Sequence, residues 1–236
     1  LDPGHGGSDP GAIKNGQTED ELAYDVMVRT KSILESRGVT VHTTVFDPVD
    51  KHKPRQGRRL KNGKGERIQT SPVYTIRDAR VSVNMRIYLV NSIYEKLRRQ
   101  GVKNEDIVFI SIHMDHLHPR LRGAMIYYPK GSERSRSFKV GGRLYGKYRE
   151  SRNKRLHFSN ADNRTAESYS YNFSRELIRS FSSRRIAVHS YRPIRPFVYR
   201  KNRKWTPGII RYSKVPTSVL LEVANMANSR DFKHLT

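Results

Sequence analysis

At 236 residues with 35% apolar side chains, the chain is long enough to bury its own core, as one large domain or two small ones. The absence of cysteine excludes disulfides, thiolate metal sites and cysteine nucleophiles, and no apolar run approaches the roughly 18 residues that a membrane-spanning helix needs. The 46 Lys and Arg against 22 Asp and Glu give a net charge of +24, which points to a polyanionic partner or surface: nucleic acid, anionic lipid or an anionic wall polymer.

The chain opens with Leu1-Asp2-Pro3-Gly4-His5-Gly6-Gly7, a single histidine in a glycine-rich turn. Glycine lets the backbone turn sharply and approach a ligand closely. His5 is therefore either a fixed ligand at a strand end or an incidental turn residue. The start at Leu1 reads as the inside of a strand, and any export signal would lie upstream of it. Asp9-Pro10-Gly11-Ala12 and Asn15-Gly16 are turn chemistry. Thr18 and Glu21 form a capping-box pattern for a helix that carries Leu22, Val26, Val28 and Ile33 and stops at Arg37-Gly38. Val39 to Val45 alternates and is β-rich, which predicts a strand. Strand, turn, helix and strand in succession begin an α/β domain.

Residues 47–75 are basic and rich in Gly and Pro, and read as an exposed loop. The spacing of Val83, Ile87, Val90, Ile93 and Leu97 predicts a helix from Thr75 to about Gln100, ended by Gly101. Asp106 to Ile112 is a nearly continuous apolar run, as in a strand buried on both faces, and it leads into His113. Gly123 to Tyr128 is another short strand. Residues 130–160 read as basic and polar. A helix is expected from about Thr165 to Phe181, with Tyr169, Phe173, Leu177 and Phe181 in one stripe. From Leu177 to Leu221 no acidic residue occurs. Thr217 to Leu221 reads as a buried strand that ends at Glu222, and Asn228 starts a short terminal helix.

Three predicted strands thus end in His5, His113 and Glu222. The C-terminal ends of parallel strands lie on one edge of the sheet, where sites form. Glu19, at the start of the first helix, faces the same edge. Two imidazoles and a carboxylate suit catalytic zinc with a position left for water, and Glu222 is then available as a general base. Each of these residues also has a bland reading: a satisfied strand-end histidine, or a carboxylate favouring a helix dipole. Glu222 is harder to explain that way, because it follows a buried run and needs a partner.

Together, the opening seven residues, Asp9-Pro10-Gly11-Ala12, Glu19, Ser111-Ile112-His113 and Val215-Pro216 through Leu221-Glu222 resemble the zinc-dependent N-acetylmuramoyl-L-alanine amidases of the Amidase_3 type. Arg86 and Asn91, five residues apart before the Ser-Ile-His strand, fit the same pattern. The resemblance implies one α/β domain over residues 1–236, with a central twisted, mostly parallel sheet flanked by helices. It implies one zinc ion held by His5, Glu19 and His113, with Glu222 as the catalytic carboxylate. Asp115, Asn228 and Arg86 are the substrate-binding residues that it suggests. The reaction it implies frees stem peptides from the glycan of peptidoglycan, in the periplasm or outside the cell.

The sequence also departs from that pattern. Asp115 stands where the family commonly has Asn, and the aromatic residue that usually follows the catalytic Glu is missing from Ala224-Asn225-Met226-Ala227-Asn228. Basic insertions at about 47–75, 129–160 and 182–214 hold much of the positive charge, and suit peptidoglycan and other anionic envelope polymers. Tyr191, Phe197, Tyr199, Trp205 and Tyr212 lie among these charges and can stack on sugars or bases. Glu167 and Glu176 sit where some relatives carry an inhibitory helix, although an ordinary core helix is the favoured reading. His116 and His118 read as part of a solvated turn. Two rivals stand beside the amidase: a zinc peptidase cutting within stem peptides, and a non-catalytic polyanion- or nucleic-acid-binding protein. The second leaves the conjunction of His5, Glu19, His113 and Glu222 unexplained, so no nucleic-acid partner is expected.

Overall fold

Five strands form the central sheet of the computed structural model, in which residues 1–49 and 65–236 are described. They are β1 (Asp2–Pro3), β2 (Val108–Asp115), β3 (Met125–Tyr127), β4 (Ile194–Arg195) and β5 (Thr217–Asn225). Their spatial order is β1-β2-β5-β3-β4. β1, β2 and β5 run parallel, β3 is antiparallel to β5, and β4 is parallel to β3. The sheet is therefore mixed but mostly parallel, as expected. β2 and β5 outrun their apolar stretches and carry His113 and Glu222 within the ladder. These two residues pair in register, and the ladder shifts only between Glu222 and Asn225.

Helices cover both faces of the sheet. Leu22, Met27 and Val28 of α1 (Glu19–Glu35) and Ile87 and Val90 of α2 (Ala79–Arg99) share one buried cluster with Ile112 and Met114 of β2. Phe173, Leu177 and Phe181 of α3 (Asn160–Ser183) pack on Ile126, Val219 and Leu221 in a second cluster. Fully burying one such side chain contributes about 1.5–3 kcal/mol. Tyr169, expected in that stripe, is 39% exposed. The short α4 (Gly208–Arg211) and α5 (Ser229–Leu235) complete the set. None of the described helices is long and apolar enough to cross a membrane.

Helix ends follow the local chemistry, with one exception. α1 and α2 close at the predicted glycines, where Val39 N–H bonds Leu34 O and Val102 N–H bonds Leu97 O, both at 3.1 Å. Asp78 caps α2 by accepting from Val81 N. The Thr18 side chain makes no capping bond. The turn before α1 does that work instead: Glu19 N–H reaches Ala12 O at 2.8 Å and Asp20 N–H reaches Pro10 O at 3.2 Å. α3 starts earlier than its apolar stripe, because Ser159 and Asp162 form a true capping box.

Three expectations need correction. The segment from Val39 to Val45 is not a strand; only Val45–Phe46 is, paired with Arg67–Ile68 in a small separate sheet. β1 is two residues long, and the segment meets this part of the chain where Leu1 bonds His42 and Thr44 and where the Thr44 hydroxyl donates to Asp2. Residues 129–160 are not simply a polar loop. Ser137–Phe138 pairs with Leu156–His157, and Tyr145, Tyr148, Leu156 and Phe158 enter the main core. The stretch 182–214 adds β4 to the sheet edge and a hairpin of Val198–Arg200 with Arg203–Trp205. The stretch 47–75 is not simply an exposed loop either: Arg67–Ile68 pairs with both Val45–Phe46 and Tyr74–Thr75, and Ile68 and Tyr74 are buried, while residues 50–64 lie outside the described residues.

Candidate metal centre

The glycine turn after β1, the first turn of α1 and the end of β2 converge on one point. Glu19 Oε1 lies 3.1 Å from His5 Nε2 and 3.0 Å from His113 Nδ1. Each of the three residues offers a ligand atom, and these atoms lie within 4.8 Å of one another. The imidazoles meet edge to face, with ring centroids 5.0 Å apart. Glu19 is fixed from behind: Ala12 N–H donates to Oε2 at 3.0 Å and Met114 N–H to Oε1 at 3.1 Å. His5 Nδ1 turns to Asp9 Oδ2 at 3.0 Å, leaving Nε2 for the site.

Close backbone approach makes this possible. His5 has φ +62°, a left-handed conformation seldom taken by a residue with a side chain. The His113 ring lies over Gly4, where a Cβ would come within 2.3 Å of its Cε1. Gly11, at φ +64°, has Glu19 and His5 where a side chain would be. The opening motif thus does more than turn the strand: it leaves room for all three candidate ligands.

The electrostatics favour a cation at this point. Burial alone would depress the His5 imidazole, but hydrogen bonds to Asp9 and Glu19, together with their charges, raise it to about 10. Burial would raise Glu19, yet bonds from His113 and His5 hold it well below the usual carboxylate range. A divalent metal supplies the positive charge that this carboxylate otherwise draws from protons. Nitrogen and oxygen donors in a two-to-one set suit zinc.

Glu222 stands beside this group, one strand over from His113. Its Oε2 is out of solvent, with no hydrogen-bond partner among the described residues. Burial, then the charges of Asp115 and Glu19, push it well above the ordinary carboxylate range.

Comparison with known proteins fits this arrangement. The sequence matches the Amidase_3 family, described as N-acetylmuramoyl-L-alanine amidase, over residues 1–236. The chain belongs to this amidase family. The N-acetylmuramyl-L-alanine amidase Ami1 of Mycobacterium smegmatis superposes with a TM-score of 0.53 at 14% identity, over 99% of this chain and 84% of the other. Cwp6 of Clostridium difficile gives 0.53 at 21%, over all of this chain and 25% of its own, so the present chain spans a quarter of that protein. At these identities the structures show the fold alone. No curated protein matches the sequence.

The other residues singled out from sequence fall into place differently. Arg86 of the amidase is 3% exposed, and its guanidinium donates to the carbonyls of Pro3 and His5 and to Asp2 Oδ1. Asp2 in turn accepts from Thr44 and Ser111. Arg86 therefore sits behind the His5 turn as a clamp, out of reach of a substrate. Arg86→Met should lower unfolding stability by about 3–5 kcal/mol in a denaturant titration, because Asp2 is left charged and buried. Asn91 is likewise internal, bonding Ile87 O, Tyr212 O and Lys214 N. Asn228 caps α5 through Oδ1 and donates from Nδ2 to Pro119 O. Asp115 ends β2 two residues beyond His113, its carboxylate accepts from His116 N, and burial pushes it up to about 6.

Sequence reasoning missed two residues. Asp9 read only as a turn residue, although its place four residues after His5 put a carboxylate within reach of the ring. The Asn225 side chain makes four bonds, to Leu117 N, Ala227 N, His118 O and Leu121 O, and so fastens the loop beyond Asp115. His116 and His118 are exposed on that loop. Glu167 accepts from Gly131 N and Glu176 pairs with Arg179, so neither is engaged with the candidate ligands.

Proposed function

We propose that the protein is a zinc-dependent peptidoglycan amidase. It hydrolyses the bond between the lactyl group of N-acetylmuramic acid and L-alanine of the stem peptide, at the cell wall in the periplasm or outside the cell. One observation carries this reading: a carboxylate held between two imidazoles, with a second, unpartnered carboxylate oxygen on the adjoining strand. His5 Nε2, Glu19 Oε1 and His113 Nδ1 would hold one zinc ion, and Asp9 keeps the His5 ring turned toward it. Zinc, when bound, lowers the pKa of a water toward about 7 and polarises the scissile carbonyl.

The chain's own residues then do the following. Glu222 takes the proton of the attacking water and delivers it to the departing alanine amine. Its buried Oε2 has no competing partner, so the carboxylate stays free for that transfer. Asp115 borders the same space and adds a polar group at its rim. The +24 charge holds the enzyme near anionic wall polymers, with strong salt dependence.

The test is the product formed from purified peptidoglycan. Intact stem peptides with a free L-alanine amino end, released only with zinc present, are the expected result. Cuts between amino acids would favour the peptidase. No release by a protein that binds no zinc would leave polyanion binding as the better account.

A further inference from the structure

Arg195 ends β4, the edge strand, and pairs in register with Tyr127 of β3. Tyr127 lies two residues beyond Met125, the partner of Glu222 on β5. Side chains alternate along a strand, so Arg195, Tyr127, Met125 and Glu222 share one face of the sheet. β4 runs parallel to β3 and hence opposite to β5. The residues just before Arg195 therefore lie toward the end of the sheet that carries Glu222.

The guanidinium is drawn back toward that end. Nε donates to Arg192 O at 2.8 Å and Nη2 to Tyr191 O at 3.0 Å, and Nη2 lies 3.3 Å from Nδ1 of the buried His189. Arg195 also hydrogen-bonds the Tyr127 hydroxyl, on which the charges of Asp115 and Glu222 bear as well. Asp115 in turn feels the charges of Arg195 and Glu19. The partners that hold the guanidinium are two carbonyls, an imidazole and a phenol. They aim it without cancelling its charge, and a guanidinium has more N–H donors than they take up. Arg195 is also partly exposed, so a ligand can reach it.

What this cation reads follows from the chemistry of the substrate, and the inference rests on the amidase reading. On the sugar side of the scissile bond the lactyl carboxyl is tied up in the amide, which leaves the muramyl residue neutral. The free carboxylates are on the peptide side. We propose that Arg195, oriented by Tyr127 and by the carbonyls of Tyr191 and Arg192, forms a subsite that binds a free carboxylate of the stem peptide. The planar fork of arginine matches a carboxylate through parallel hydrogen bonds, which a point charge does not. The first such group along the stem is on the glutamate that follows L-alanine, and amidation to isoglutamine removes its charge.

The experiment compares soluble glycan strands whose stems carry either glutamate or isoglutamine at that position, cleaved by the full chain loaded with zinc. The wild type should prefer the free carboxylate by about 10–100-fold in kcat/KM, the range of a hydrogen bond to a charged group. Arg195→Gln should shrink the preference to within about threefold, with the loss falling on KM for the glutamate stem. Tyr127→Phe, which removes only the hydroxyl, should shrink it by about 3–10-fold. A wild type that cleaves both stems equally, or prefers the amidated one, overturns the proposal. So does a preference that survives Arg195→Gln, or a loss that falls equally on both stems, which would place Arg195 in the fold instead. Should Arg195→Gln fail to fold, Tyr127→Phe decides, and an unchanged ratio there overturns the subsite. Equal cleavage of both stems removes the subsite alone, whereas cleavage of neither by zinc-loaded protein removes the amidase reading and the subsite with it.

Discussion

Glu222→Gln should lower kcat on peptidoglycan by about 10²–10⁴-fold while zinc content stays at one equivalent. Gln keeps the volume and a polar tip, so a lost rate reports a lost proton acceptor rather than a collapsed cleft. Zinc should stay because Glu222 is not among the grouped ligands; the set is His5, Glu19 and His113. The variant should also be at least as stable as the parent without metal. Burial, then the charges of Asp115 and Glu19, penalise the ionised carboxylate, and Gln removes the charge that bears that penalty. Single-turnover rates, metal analysis and melting curves test the three parts. Near-normal turnover would remove Glu222 from the chemistry, and loss of zinc with activity would make it a ligand.

The positions of these residues explain which parts of the structure were legible in the sequence. His5, Glu19, His113 and Glu222 stand out because each follows or begins an element with a strong local signature. The short apolar runs before His113 and Glu222 read as buried strands, and the two strands pair in parallel here. The helices were legible for the same reason, α2 through a 3.6-residue stripe and a glycine stop. Residues whose role comes from distant partners gave no such signal. Arg86 sits on the amphipathic α2, and nothing local says that it turns inward to hold the carbonyls of Pro3 and His5. The segment from Val39 to Val45 has strand composition, but strand formation depends on a partner, and β1 offers only two residues. The region 129–160 hid its core contribution behind charge: Tyr145, Tyr148, Leu156 and Phe158 are spaced among Lys and Arg without periodicity. Asn228 matched a family position, yet in this chain its side chain is used up as a helix cap.

The glycine turn supplies the second large expectation, and it separates the site from the fold. Gly4 is not in the left-handed region, so alanine is acceptable there to the backbone itself. The obstacle is the His113 ring, which a Cβ would approach to 2.3 Å at Cε1 and to 2.5 Å at Nδ1 and Nε2. A packed ring and a backbone carbon cannot both stay, and the ring is the softer of the two. Gly4→Ala should therefore push His113 away from Glu19 with every ligand still present in the sequence. Zinc affinity should fall by about 100-fold or more, and turnover with it. The double variant Gly4→Ala with His113→Ala distinguishes displacement from general damage. If the ring clash is the whole cost, removing the ring recovers most of the stability lost to Gly4→Ala but none of the activity. A double variant no more stable than Gly4→Ala alone would mean that the turn itself is broken, and that Gly4 is needed for β1 to end where it does. The coupling between the two positions, read from a four-variant cycle of melting temperatures, measures how tightly the first strand is fitted to the candidate ligand of the second.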